Sequence, residues 1–416
     1  MPSARALALD ALARWRQGTE FADKIIGELL AQTSLEPPDR AFAFELFYGL
    51  LRNLTLLDFW IAQLRSDPLD PGTRDLLRIG LYQIMFLETA AHAAVFETVE
   101  LARPRVRPVI NAILRRALRE KLILTNLAEN QPWPIRLSHP EFLVERWQRQ
   151  FGREAVLALC RWNNSPAPVY ARINRLKTTV REFLLSHPGS CILAGHPNFV
   201  SLPEAATAIS AGDYYIQDPS TALACEMLRP APGENVLDAC AAPGGKSAYL
   251  AEMMENRGLL VAVDREESRL ERLRANLVRL GVTGARIVCC DWWEAGSIRA
   301  AGLEEKSFDK ILVDAPCTNT GVMRRRVDLR WRLRAEDFAR MQRQQLAILA
   351  AVGPLLRPGG SLVYSTCSLE EEENLEVVSA FQRDLGAFSL TNRKQTLPFG
   401  DGIDGAFAAR LERSSS

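Results

Sequence analysis

Two cysteines stand where a thiol could do chemistry. Cys317 lies in DAPCTNTG (314–321), directly after a proline at the end of an apolar run, and Cys367 lies in YSTCSLEEEEN at the end of another. Methylating oxygen or nitrogen needs no covalent help, because those atoms carry lone pairs. Carbon 5 of a pyrimidine is a poor nucleophile. A thiolate adding to carbon 6 turns the ring into an enamine whose carbon 5 can attack an electrophilic methyl group. The carbon 5 proton must then leave and the thiolate be expelled. Two thiols at neighbouring strand ends, one attacking and one assisting release, suit that order of events. A cysteine is otherwise a small core residue, which is the reading given to Cys160, Cys191 and Cys225.

A ligand turn precedes them. In LDACAAPGGKSAYLAE (237–252), Gly244 and Gly245 let backbone approach a ligand closely, and the following helix presents its positive end. Gly245-Lys246-Ser247 imitates the tail of a mononucleotide loop, but Cys240 occupies the place of that motif's first glycine. The dinucleotide spacing G-x-G-x-x-G is also missing. What fits is an adenosine with no required phosphate. Asp264, about twenty residues on and at the end of the next apolar run, is placed to accept bonds from ribose hydroxyls. Asp291 could reach an adenine edge. A rim of carboxylates suits a cationic adenosine compound, and S-adenosylmethionine is one. Each aspartate alone reads equally well as a helix cap; in order along one sheet they weigh more together.

The elements that must position these residues follow a clear rhythm. ENVLDAC, GLLVAVD, ARIVCCD, FDKILVDAP and GSLVYSTC are short aliphatic runs separated by helical patterns such as ESRLERLRANLVRLG. That alternation predicts an open, mostly parallel α/β sheet over 226–416, with ligands at the carboxyl ends of its strands. Residues 1–130 read instead as helix after helix. Phe42, Leu46 and Leu50 recur every four positions, Asp39 stands where it could cap that helix, and VINAILRRALRE carries a face of Ile110, Ile113, Leu114 and Leu118. QPWP (131–134) reads as a linker, and 135–225 as a small α+β connector. There Tyr170, Arg172, Asn174 and Lys177 could face RNA or form an ordinary strand surface.

With 416 residues, 47% of them apolar and 24% charged, the chain has the composition of a soluble multidomain protein. No apolar stretch is long enough for a membrane helix, and the start lacks a signal peptide's continuous apolar core, so a cytoplasmic location is expected. Eight cysteines without C-x-x-C, and His92, His139, His187 and His196 far from them, predict neither a disulfide framework nor a metal site. The net charge is only +1, but arginines gather at 103–119 and at 324–334. Clusters of this density suit phosphates or solvated helix faces.

APGGKS, DAPC and STCS together resemble the RNA cytosine-5 methyltransferases of the NOL/NOP/Sun family. QDPSTAL (217–223), YARINRLK (170–177), SHPEFLVERW (138–147) and GIDGAFAARLER also look like segments of it, and FYGLLRN, LLRIGLYQIMFL, VFETVELA and VINAILRR are similar to a NusB-type RNA-binding module. The resemblance implies three parts: an all-α NusB-like domain, the connector, and a Rossmann-like methyltransferase core dependent on S-adenosylmethionine. By motif, Cys367 becomes the nucleophile and Cys317 the release group. Asp314 would bond the cytosine's N3 and exocyclic amine. Cys240, Ala241, Ala242, Pro243, Gly244, Gly245, Lys246, Asp264, Asp291 and Asp314 would surround the cofactor.

The pairing with a NusB-type front is similar to the bacterial branch that methylates a cytosine of small-subunit (16S) ribosomal RNA. The expected partner is therefore 16S rRNA or an early small-subunit particle, bound by a monomer. The base would come from a loop or be flipped out, since pairing hides carbon 6. Arg324, Arg325, Arg326 and Arg330 directly follow the release loop and are candidates for flanking phosphates. Lys246 and a helix beginning near Ser368 could ease ionisation of a thiol, while Glu370 to Glu373 would oppose it unless solvated or in a helix's first turn. Thr318-Asn319 stand where the family commonly has Ser-Gly or Ser-Ala, Arg326-Val327 where His-Pro is common, and Ala406 at a position usually aromatic. Two other functions compete: a non-catalytic RNA-binding assembly factor that kept the fold, and a methyltransferase acting on nitrogen, which would not need Cys367.

Overall fold

A computed structural model describes residues 3–87, 89–203 and 212–415. The chain divides into two compact units: residues 1–166 with 323–333, and residues 167–322 with 334–416. No helix among the described residues is long and apolar enough to cross a membrane.

The first unit is helical, running from Ala4–Arg16 to Arg153–Asn164. Its core draws on the helices from Ala4–Arg16 to Lys121–Glu129, with Leu12, Ile25, Leu46, Phe47, Leu77 and Leu114 fully enclosed. The expected face of Arg107–Arg119 holds: Ile110, Ile113 and Leu114 are buried, Leu118 packs partly, and Arg115, Arg116 and Arg119 are exposed. Asp39 is no cap. The helix Pro37–Arg52 begins earlier, because two prolines preset its first turn and leave no amide to satisfy. Asp70 caps instead, accepting from the Thr73 amide at 3.0 Å ahead of Pro71. The QPWP stretch, expected to link domains, enters a short helical turn at Trp133–Arg136. The helices Glu141–Phe151 and Arg153–Asn164, read as part of a connector, belong to this unit.

The second unit contains two sheets. The smaller is antiparallel, order β2-β3-β1-β4, from β1 (Tyr170–Ile173), β2 (Cys191–Leu193), β3 (His196–Ser201) and β4 (Tyr214–Ile216). Its helix Val180–Ser186 starts with a reciprocal cap between Thr179 and Glu182. Tyr170, Arg172 and Asn174 point inward, Arg172 and Asn174 almost fully enclosed, which removes these three from an RNA-facing role; Lys177 is exposed. Cys191 is exposed, not core, because the edge strand β2 is open to solvent, while Cys160 and Cys225 are buried.

The larger sheet runs β10-β11-β9-β8-β5-β6-β7. The five aliphatic runs form β5 (Asn235–Asp238), β6 (Leu259–Asp264), β7 (Ala285–Cys289), β8 (Phe308–Asp314) and β9 (Leu356–Thr366), all parallel. An antiparallel hairpin, β10 (Phe388–Thr396) and β11 (Ala406–Arg413), extends the β9 side. Alternate residues serve opposite faces. Ile311 and Val313 join a core with Leu349 and Phe381, while Leu312 joins one with Leu250 and Leu228. With helices on both faces, every central strand is apolar on both sides, and polar side chains gather at strand ends.

Candidate active site

The parallel strands deliver carboxylates in a row. Asp238, Asp264 and Asp314 are the last residues of β5, β6 and β8, and Asp291 lies two residues beyond β7. The ligand turn runs from Cys240 to Gly244 and opens the helix Gly245–Met253. It is pinned to the neighbouring strand, since the Ala241 amide donates to the Val263 carbonyl (2.8 Å) and the Ala242 amide to Asp264 (3.2 Å). The Ala242–Pro243 peptide is cis, and Gly244 has φ +107°, a conformation that requires glycine. A Cβ on Gly245 would fall 2.6 Å from the Tyr215 ring, so this glycine lets β4 pack on the turn.

Asp264 is 4% exposed and also meets Arg269 at 3.2 Å; Asp291 accepts from the Trp293 amide at 3.0 Å. Asp238 is fully buried with Ser247 donating at 2.6 Å, and its other oxygen meets no donor in hydrogen-bond geometry among the described residues. Four carboxylates around a glycine turn, with their nearest ammonium already paired, fit a cationic nucleoside better than a phosphate. Among the described residues no cluster of three His, Cys, Asp or Glu side chains is arranged for a metal.

Burial pushes the Asp238 carboxyl up to about 7; the Ser247 hydroxyl opposes this and the Asp314 charge adds to it. Its folded pKa lies above the ordinary 3.8, so its stabilising contribution is complete below that value and is lost as pH rises through about 7. Asp238→Asn is therefore expected to gain stability relative to the parent between pH 5 and pH 8. Urea unfolding at the two pH values measures this; an unchanged difference would refute it.

The two expected thiols meet. Cys317 Sγ and Cys367 Sγ lie 3.4 Å apart, the first buried and the second half-buried. Asp314, on the same strand ends, accepts from Lys246 Nζ at 2.6 Å and Ser365 Oγ at 2.8 Å. Burial works against the Lys246 ammonium, but Asp314 outweighs it and raises its pKa, so Lys246 stays a cation. The hydrogen bond to Cys367 pushes the Cys317 thiol well up, and burial and the nearby Cys367 and Glu373 charges push it further. Cys317 is thus held protonated.

Asn319 joins the loops. Its amide nitrogen donates to the Cys317 carbonyl at 2.7 Å, and Cys367 Sγ donates to its oxygen at 3.0 Å. It sits at φ +57°, where glycine or asparagine is tolerated, which accounts for Asn at a place where the family commonly has a small residue. Asn319→Ala should cost about 1 kcal/mol through this conformation, and Asn319→Gly clearly less, by urea unfolding.

Glutamates 370 to 373 do not form a solvated run. Glu370 and Glu373 are fully buried, and the turn Glu371–Glu373 delays the helix to Leu375–Asp384, so no helix begins near Ser368. Four identical residues in a row gave no sign of which would turn inward. The arginine expectation also needs correction. Arg330 is fully buried, donating to Ser138 O, Asn163 O and Asn164 Oδ1, and cannot present itself to a phosphate. Arg324 is partly buried over the Trp162 ring and donates to Pro166 O. Arg325 is half-buried and Arg326 exposed. Val327, where proline is common, is enclosed in the helical core, and Ala406 opens β11 opposite Thr396.

Comparison with known proteins supplies context for this geometry. Residues 225–411 match the family model described as 16S rRNA methyltransferase RsmB/F, residues 2–119 the NusB family, and residues 139–186 an RsmF/B-like ferredoxin-like domain. The chain is 33% identical to the probable ribosomal RNA small subunit methyltransferase B of Bacillus subtilis (strain 168), covering 99% of each. It is 36% identical to the ribosomal RNA small subunit methyltransferase B of Vibrio cholerae, covering 92% of each. Among solved structures, a methyltransferase homolog protein from Pyrococcus horikoshii aligns with TM-score 0.58 and 30% identity, over 67% of this chain and 97% of that one.

Proposed function

The chain belongs to the 16S rRNA methyltransferase RsmB/F family, and on that premise we propose that it methylates carbon 5 of a cytosine in 16S ribosomal RNA through a transient bond from Cys367 to carbon 6. S-adenosylmethionine, when bound beside the carboxylate row, supplies an electrophilic methyl group on a sulfonium. Asp238 and the turn from Cys240 to Lys246 would hold it, with Asp264 placed for its ribose hydroxyls and Asp291 for its adenine.

Cys367 attacks as thiolate, forming the Sγ–C6 bond and moving the C5–C6 π pair toward carbon 5. Asp314 holds the ring's N3 and exocyclic amine, favouring the protonated ring that accepts this addition. The electron-rich carbon 5 would then accept the methyl group, the bond pair remaining with the donor as a neutral thioether. Cys317, 3.4 Å away, gives its thiol proton to the departing Cys367 sulfur as the Sγ–C6 pair returns there, and takes the carbon 5 proton in exchange, whose bond pair restores the C5–C6 double bond. Exposed Arg103, Arg105, Arg115 and Arg119 on the helical unit and Arg326 are the side chains open to RNA phosphates. The reaction belongs in the cytoplasm, where ribosomal RNA is.

The observation that carries this reading is the 3.4 Å approach of two sulfurs at the ends of β8 and β9, where Asp314 also lies. Transfer to nitrogen would need neither thiol. The test is to incubate the chain with 16S rRNA, or small-subunit particles, and methyl-labelled S-adenosylmethionine, then digest the RNA to nucleosides. Label in 5-methylcytidine is expected. Label in an N-methylated nucleoside, or none, would refute the proposal.

A further inference from the structure

Glu373 lies outside the set of reacting groups, yet both sulfur-bearing loops end on it. Its Oε2 accepts from the Thr318 amide at 2.9 Å and from Gln345 Nε2 at 3.0 Å. Its Oε1 accepts from Ser368 Oγ at 2.7 Å and from the Thr318 hydroxyl. Thr318 directly follows Cys317, and Ser368 directly follows Cys367. A buried carboxylate with four donors is satisfied only as an acceptor. Glutamine would have to turn its NH2 group toward the Thr318 and Ser368 hydroxyls, which would reverse from donors to acceptors.

The two loops depend on Glu373 unequally. Cys367 follows Thr366, the last residue of β9, which pairs with Phe407 of β11, and its own carbonyl accepts from the Gly321 amide at 2.9 Å. Cys317 lies beyond the end of β8. After the Ala315 amide bonds Ser365 O, its loop is held next to the sulfur by Gln345 on the Pro316 carbonyl (2.9 Å) and by the two bonds from Thr318 to Glu373, and farther on by Thr320, whose hydroxyl accepts from the Leu369 amide (2.9 Å), and by the Gly321 amide on the Cys367 carbonyl. Gln345 itself leans on Glu373. The Glu373 charge, with the neighbouring Cys367, also helps keep the Cys317 thiol protonated.

We propose that Glu373 is a positioning residue for Cys317, so that its loss impairs release of the methylated base more than attack upon it. This rests on the reading given above and deepens it. The test compares the full chain with Glu373→Gln, Thr318→Val and Cys317→Ala, each incubated with 16S rRNA and S-adenosylmethionine. First-turnover methyl transfer is read against multiple turnover, and the adduct by denaturing electrophoresis.

For Glu373→Gln, the first turnover should stay within about tenfold of the parent while multiple turnover falls roughly 10²-fold or more, the scale of a lost proton-transfer partner, and adduct accumulates. Thr318→Val removes only the hydroxyl contact and should shift the same ratio less; it decides the matter if Glu373→Gln does not fold. Equal loss of attack and release without adduct, or parental turnover, would overturn the inference. If Cys317→Ala itself forms no adduct, the reading of the reaction fails, not merely the role of Glu373.

Discussion

Cys317→Ala, given 16S rRNA and S-adenosylmethionine, is expected to leave a protein–RNA adduct that survives denaturing electrophoresis, and Cys367→Ala to leave none. The asymmetry follows from where the sulfurs sit. Cys367, directly after β9, is half-buried, while Cys317, 3.4 Å away, is buried. Burial, the neighbouring sulfur and Glu373 all keep Cys317 protonated, which unfits it for attack. Without Cys317, the Sγ–C6 bond can still form but its resolution slows. Without Cys367, methyl transfer should fall by roughly 10⁴-fold or more, as when a covalent nucleophile is removed. Labelled-methyl incorporation and gel-shifted protein measure the two effects. Retained activity in Cys367→Ala would end the covalent account.

The largest expected loss of stability comes from a residue whose charge suggested RNA. Arg330→Met should destabilise the helical unit by about 3–5 kcal/mol, because it leaves several enclosed acceptors without donors. Those acceptors are Ser138 O, Asn163 O and Asn164 Oδ1, the last at 2.6 Å, beside the buried His139. Burial lowers the Arg330 pKa to about 9, and it remains a cation near neutrality. Methionine fills the volume but donates nothing. Urea unfolding followed through the helical signal checks the figure. A loss near zero, accompanied by weaker RNA binding, would return Arg330 to the RNA-contact class.

The pattern of the chain was most legible where chemistry and period coincide. The aliphatic runs predict all five parallel strands, and their terminal Asp238, Asp264 and Asp314 fall at strand ends as expected. The meeting of Cys317 and Cys367 was legible from matching positions after strands that lie side by side. Side-chain direction was not. Arg330 and Arg326 are four residues apart in one basic run, but Asp328 and Arg330 turn into the helical unit while Arg326 faces out. Glu373 differs from Glu371 only by where a short turn points it. Arg172 read as either RNA-facing or ordinary strand surface because its partner Glu252 is distant in sequence, and no local spacing reveals a pair made between a strand and a helix. Charge says what a side chain can bond; only the tertiary path says which bond it makes.

The excursion of residues 323–333 has a consequence for modularity. The chain passes between its units at 166/167, 322/323 and 333/334, so no single cut yields two self-contained pieces. A fragment beginning at Ala167 would carry Val327 and Arg330 stripped of the helices that enclose them, a sticky and charged flap immediately after the loop that carries Cys317. In this chain, removing the helical front would therefore expose that segment. Any dissection, by protease or by gene design, has to replace that flap before the catalytic part can be judged alone.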